Sequence, residues 1–368
     1  MIDRRLFLHM NWGLLALTLV ISAIGIMNLY SASGIRIEDG ISVASYYQRQ
    51  IIWCGAGVLI MLICLCFNYR RLEALALPAY IVSVLLLLSV PVVGVVIMGA
   101  RRWISFGLFN FQPSEMAKFT VLLMGAKFLS FNSDPLGWRR LVQTLFIGGI
   151  PAFLVMTQPD LGTALTILAL VGGMIIFHGL IPRVLKTCLV LIPMTLPLAW
   201  FTLHDYQKLR ILAFLDPASD PRGAGYQVLQ AEIAIGSGSI WGKGFLQGTQ
   251  HQLRFLPEKH TDFAIAVFGE EWGFIGCLVL LTLFCLFMLR IVDTVRDAKD
   301  RFGSTLVAGI FFYFCWQMLV NMGMVMGLMP VVGIPLPFIS YGGSAAIVNF
   351  ALIGLVLNVS MRRFMFKH

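Results

Sequence analysis

The sequence predicts an all-α polytopic membrane protein, and three observations carry that prediction. Of 368 residues, 58% are apolar and 12% are charged, against about 25% charged in an ordinary soluble domain. The apolar residues fall into ten long runs, most of them bounded by charge, Pro or Gly. Each run is long enough, or nearly so, to cross a hydrocarbon core about 30 Å thick at about 1.5 Å per residue. Basic residues collect on one side of the series. The pattern excludes a soluble enzyme, a disordered chain and a secreted disulfide scaffold. It is also unlike the weak alternating segments of an outer-membrane barrel.

The spans read in order as 12–33, 51–67, 74–97, 113–131, 141–157, 160–178, 187–203, 262–290, 304–329 and 342–360. The first is too long for a cleavable signal, and nine more follow it. Arg4-Arg5-Leu6-Phe7-Leu8 faintly resembles a twin-arginine signal, but Arg4 and Arg5 already serve as topology anchors. With the N-terminus in the cytoplasm, the inner segments hold fifteen Lys and Arg, among them Arg4, Arg5, Arg70, Arg71, Arg139, Arg140 and Lys367. The short outer loops hold four, Arg36, Arg49, Arg101 and Arg102. Lys and Arg favour the cytoplasmic side, so both termini are placed inside. The net charge of +9 then reflects loop asymmetry, and no nucleic-acid partner is expected. Residues 204–261 form one long outer loop, and long loops in compact folds are commonly functional. The whole of 1–368 reads as one integral membrane domain. Seven cysteines, all within apolar stretches, read as packing residues. There is no nucleotide-binding glycine loop, zinc-type spacing or evident internal repeat.

The outer edge carries nearly all of the unusual polar residues. Gln112-Pro113-Ser114-Glu115 opens a span, with Pro113 suited to the first helical position and Glu115 to the first turn. Lys118 lies three residues on, on the same face, and a cation inside a span must be paired or face a cavity. Gln158-Pro159-Asp160 is a second such start. Arg101-Arg102-Trp103 places two cations against the positive-inside trend, suited to an anionic group such as phosphate, while Trp103 also suits an interface. The long loop ends in Glu258-Lys259-His260-Thr261-Asp262 at the membrane boundary. Either Thr261 or Asp262 caps the following helix, or Asp262 takes a proton from a hydroxyl of a membrane-anchored substrate. The glycine-dense stretch from Gly236 to Gly244, with Lys243 inside it, implies backbone packed closely against protein or ligand. The Pro/Gly-rich stretch 335–344 must be buried or line a cavity, because bare backbone cannot face lipid.

Taken together, the stretches 99–118, 158–164, 220–244, 256–271 and 321–344 resemble the SEDS family (shape, elongation, division and sporulation) of cell-wall polymerases. Length and the stretch 204–226 are closer to its elongation branch than to its division branch. The resemblance implies a ten-span peptidoglycan glycosyltransferase of the inner membrane that uses lipid II and faces the periplasm. It maps the family's catalytic aspartate onto Asp262, and family site positions onto Glu115, Lys118 and Asp160. The one departure, Gly238-Ser239-Ile240 in place of Gly-Gly-Leu, puts little in doubt. Expected partners are a class B penicillin-binding protein (a transpeptidase), other elongation-complex proteins, the nascent glycan strand and membrane lipids.

In that setting Asp262 is the general base of an inverting displacement of polyprenyl diphosphate. Arg101, Arg102, Lys118, Lys243 or Lys259 could neutralise the leaving group, with Trp103 and His260 nearby. A divalent cation, Mg2+ or Mn2+, could do the same; its ligands are not identified, and no organic cofactor is expected. Two alternatives remain. A lipid II flippase would need polar residues deeper in the membrane, where Asn28, Gln317 and Asn321 are the few candidates. A non-catalytic scaffold would tolerate loss of Asp262.

Overall fold

Helix forms wherever the long apolar runs lie. The computed structural model describes residues 9–363 except 34–36, 39–40, 43–45, 98–99, 106, 108–109, 133, 204, 218–219, 221–222, 254 and 257. Arg4, Arg5, Arg36 and Lys367, all counted in the loop charges, lie outside these described residues. The helices are α1 (Trp12–Ser33), α2 (Tyr46–Cys66), α3 (Arg70–Val93), α4 (Pro113–Ser130), α5 (Trp138–Met156), α6 (Leu161–His178) and α7 (Pro182–Thr202). They continue as α8 (Asp205–Leu215), α9 (Ala224–Ser237), α10 (Thr249–Gln252), α11 (Ala264–Asp297), α12 (Arg301–Val325) and α13 (Gly343–Met361). Among the described residues, eight helices are long and apolar enough to cross a membrane. The other two expected spans coincide with α4, which carries Glu115, Lys118 and Lys127, and with α7.

Local chemistry sets the helix ends. Pro113 opens α4 with its backbone angle already helical. Asp160 is the N-cap of α6, one residue ahead of the first turn expected for it, and its carboxylate accepts from the Thr163 amide at 3.2 Å. Asp300 caps α12 in the same way, accepting from Gly303 at 3.1 Å. The span expected at 74–97 stops at Val93, because Val95–Ile97 becomes strand β3 of a small antiparallel meander. Its partners are β4 (Ala100–Ser105) and β5 (Asn110–Phe111). Two further short strands, β1 (Ile37–Glu38) and β2 (Ile41–Ser42), pair with each other. These strands are additions to the expected all-α architecture.

The centre of the bundle is α12 and α13, whose residues are mostly buried. Around them α2, α3, α5 and α7 turn large apolar side chains outward, as lipid contact requires. Cys54 and Cys64 are buried, but Cys66 and Cys285 are exposed on that apolar surface and do not serve the core.

Two departures from straight spans shape the outer half. The helix expected at 262–290 is broken at Gly273 (φ 62°, ψ −161°). The glycine-dense loop fills the break: Lys243 and Gly244 amides donate to Glu270 and Glu271 carbonyls at 3.0 Å each. The Phe274 amide donates to Ser239 at 2.9 Å. A Cβ at Gly242 would stand 2.1 Å from the Glu271 carbonyl oxygen. These glycines therefore serve contact with protein.

The second departure is the stretch after α12, which folds back among the helices. Ile334, Leu336, Phe338 and Ile339 are buried. The Phe338 ring packs against Phe314, Phe287 and Phe350 at centroid distances of 5.7, 5.8 and 5.4 Å. Phe314 lies eleven residues before the end of α12, about 16 Å along the axis. The Pro/Gly-rich stretch is thus a deep re-entrant segment, buried as expected.

Candidate active site

The re-entrant segment and the break at Gly273 together carry Asp262 into the bundle from the end that holds the C-terminus of α1 and the N-terminus of α4. Asn28 donates its side-chain amide to the Ala264 carbonyl at 2.8 Å, and Ser31 hydrogen-bonds the Glu271 carboxylate. Asn28 and Ser31 climb towards the C-terminal end of α1, so Ala264–Trp272 climbs with them. Asp262, just before it, sits at the depth of Asn28. The Asn321 side chain then clamps two backbones at once, donating to the Asp262 carbonyl at 2.9 Å and to the Ile334 carbonyl at 2.8 Å. The two deep asparagines considered for a transport path are thus struts under Asp262.

Neither Thr261 nor Asp262 caps the helix: the N-cap is Phe263, and Thr261 donates to the Glu258 carboxylate at 2.9 Å. Among the described residues, no hydrogen bond reaches the Asp262 carboxylate. Its neighbour is the backbone at Gly333 (φ 73°), where a Cβ would stand 3.4 Å from Oδ2. The carboxylate is half-buried, and burial pushes it up to about 6 from an ordinary 3.8. The negative charges of Glu258 and Asp160 push the same way, while Arg210 and Arg102 oppose them. An acid so placed is ionised at neutral pH and is a stronger base than an exposed aspartate.

The two outer arginines separate. Val95 pairs with Trp103 and Val96 with Arg101, so Arg102 is the extra residue of a bulge in β4, and the two arginines take different partners. Arg101 donates to the Pro91 carbonyl at the end of α3 at 2.6 Å, and Trp103 is paired in register with Val95. Arg102 points inward, 3.8 Å from the Asp160 carboxylate, with its buried Nε lacking a partner. Asp160 also accepts from Gln112 at 3.3 Å and from the Thr163 hydroxyl at 3.0 Å. The expected arginine pair is therefore a single cation, Arg102.

Beneath this group Lys118 donates to Glu115 at 2.7 Å, with side chains 3% and 6% exposed. The ammonium lies 5.3 Å from the Tyr313 ring centroid, and Asp160 acts on it electrostatically. Lys243 belongs to another cluster: it donates to the fully buried Glu270 at 2.7 Å and to Thr249 at 2.8 Å. Burial makes Glu270 demand that cation, which the sequence could not reveal. His260 stacks on Tyr46 with ring centroids 4.1 Å apart, and its carbonyl accepts from the Tyr341 amide at 2.8 Å. Burial pushes its imidazole below the ordinary value, so it is neutral at pH 7. Lys259 is half-buried beside it and acts on it electrostatically.

Arg210 and Glu258 were not expected here. Arg210 reaches in from α8 and also donates to the Val331 carbonyl at 3.1 Å. Its signal in the sequence was a further cation on the outer side, inside the long loop.

The family model described as cell cycle protein, covering FtsW, RodA and SpoVE, matches residues 11–364. This chain belongs to the FtsW/RodA/SpoVE family. It is 40% identical over 357 residues to the peptidoglycan glycosyltransferase MrdB of Escherichia coli K12, covering 96% of this chain and 94% of that protein. It is 37% identical over 356 residues to a probable peptidoglycan glycosyltransferase FtsW of Geobacter metallireducens, covering 95% and 94%. Among solved structures it resembles the rod shape determining protein RodA of Thermus thermophilus, with a TM-score of 0.72, 30% identity, and 97% and 98% of the chains covered. A chain from a peptidoglycan synthase complex that coordinates polymerization and crosslinking superposes with a TM-score of 0.83 at 34% identity, covering 97% and 99%. The FtsW/RodA/SpoVE fold therefore extends over nearly all of this chain.

Proposed function

We propose that this chain is a peptidoglycan glycosyltransferase that polymerises lipid II into β-1,4 glycan strands during cell elongation, with Asp262 as general base. The observation that carries this reading is the Asp262 carboxylate: half-buried, without a hydrogen bond among the described residues, raised to about 6, and within the electrostatic reach of Arg210 and Arg102. In one displacement the acceptor 4-hydroxyl attacks the anomeric carbon as Asp262 takes its proton. The bond from that carbon to diphosphate breaks, the leaving oxygen keeps the electron pair, and an α linkage becomes β. A well-placed base contributes roughly 10²–10⁴-fold. Arg102 and Arg210 are the cations placed to stabilise charge on the departing diphosphate. Trp103, Lys259 and His260 stand around the opening as substrate contacts, and Glu115, Lys118 and Asp160 form the floor that holds Arg102.

All ten long helices cross the inner membrane in this reading, with both termini in the cytoplasm and Asp262 open to the periplasm. Among the described residues no group of three or more His, Cys, Asp or Glu could hold a metal ion. Mg2+ is commonly held by one or two carboxylates together with substrate phosphates. Glu258 would supply a carboxylate, leaving Asp262 as the base, and the cation would neutralise diphosphate. The partner is a class B penicillin-binding protein, which the likeness to a synthase complex of polymerization and crosslinking supports. Against a flippase, the side-chain NH2 groups of Asn28 and Asn321 hold backbone carbonyls.

The test is glycan synthesis from purified lipid II by the purified chain with its partner, in the presence of moenomycin. Long strands are expected. Lipid II that crosses vesicle bilayers without being polymerised would reverse the reading in favour of transport.

A further inference from the structure

At the end of the bundle opposite Asp262, a cavity of about 350 Å³ opens between the last turn of α4 and the first turn of α5. Its lining is divided. Lys127, Asn132, Arg140 and Gln143 supply polar groups, and Phe128 and Phe131 supply an apolar wall. Phe131 is 87% exposed, so the wall is open to the membrane.

Both cations point to an absent anion. Arg140 donates through Nη1 to the Asp134 carbonyl at 3.4 Å, but its Nη2 is buried without a partner. Lys127 is half-buried and forms no ion pair among the described residues. Asp134, the acid of this loop, is exposed, and its carboxylate pairs with neither cation among the described residues. His178, at the end of α6, feels the charges of Arg140 and Arg301. Lys127 and Arg140 thus give the cavity lining a positive charge. A helix C-terminus favours a lysine by about 0.3–1 kcal/mol, which accounts for Lys127 alone. It does not account for a second cation from another helix, with a buried N–H left over, beside an open aromatic slot.

We propose that this cavity binds an anionic phospholipid, its phosphate between Lys127 and Arg140 and an acyl chain along Phe128 and Phe131. Under the topology read from the loop charges, the lipid belongs to the inner leaflet. Inner-leaflet anionic lipids are drawn to cations at this depth, and the aromatic wall gives a lipid what free phosphate cannot use. The lipid would steady the inner ends of α4 and α5, the first of which carries Glu115 and Lys118 at its other end.

Native mass spectrometry of the full chain, released from phosphatidylcholine nanodiscs doped with phosphatidylglycerol, reads this directly. Lys127→Gln with Arg140→Gln is expected to weaken phosphatidylglycerol retention by about 30-fold, and either change alone by about fivefold. Arg139→Gln, on the same rim outside the cavity, should change nothing. Gln143→Trp fills the cavity while keeping both cations, so it should also expel the lipid, and it serves if the double variant does not fold. Equal retention by wild type and Gln143→Trp would overturn the proposal. So would equal loss in Arg139→Gln, or displacement of the lipid by inorganic phosphate, which would mark a free-anion site.

Discussion

Asp262→Asn is expected to abolish glycan synthesis, by about 10²-fold or more, while leaving the folded protein at least as stable as wild type at neutral pH. The two halves of this expectation come from one environment. A carboxyl raised to about 6 in the folded state binds its proton more tightly there than in the unfolded chain. Its relative stabilisation is present below the ordinary carboxyl value and is lost as pH rises through about 6. At neutral pH the ionised side chain is therefore a cost that the isosteric amide removes. Glycan assays and thermal melts in one detergent check both halves. A variant that is inactive and also melts far lower would mark Asp262 as structural.

Lys118→Met is expected to lose stability heavily. It leaves the Glu115 carboxyl buried with its 2.7 Å partner gone. Breaking a buried pair from one side costs about 3–5 kcal/mol. Replacing both partners, Lys118→Met with Glu115→Gln, removes the stranded carboxyl and should recover most of that loss. Activity is the separate readout. If the pair only braces α4, the double variant regains activity along with stability. If Lys118 meets the substrate, stability returns and activity does not. A single Lys118→Met variant as stable as wild type would contradict the buried pairing itself.

What was legible in the sequence follows from what each feature depends on. The ten apolar runs depend on composition alone, and α1, α4 and α6 appear within about a residue of where they were read. Pro113 and Glu115 work through the first helical turn, a local effect, and stand where expected. The failures are long-range. Whether Arg101 and Arg102 act together depends on a strand, and Val95–Ile97 looked like the end of a span until it paired with β4. Whether Lys243 is free depends on Glu270, twenty-seven residues away and fully buried. The break at Gly273 needs the loop at Gly242 to complete its hydrogen bonds, and one glycine in an apolar run gives no hint of that. Arg210 reaches Asp262 only because α8 folds over the re-entrant segment.

The central claim is that Asp262 acts as a base whose strength is set by the charges around it, and the pH dependence of kcat/KM for lipid II tests it most directly. Wild type should lose activity as pH falls through about 6. Arg210 favours the ionised form and Glu258 opposes it. Arg210→Gln should therefore move this limb to higher pH, and Glu258→Gln should move it to lower pH. An acid limb that stays fixed in both variants, or a wild-type profile flat from pH 5 to 8, would contradict the account.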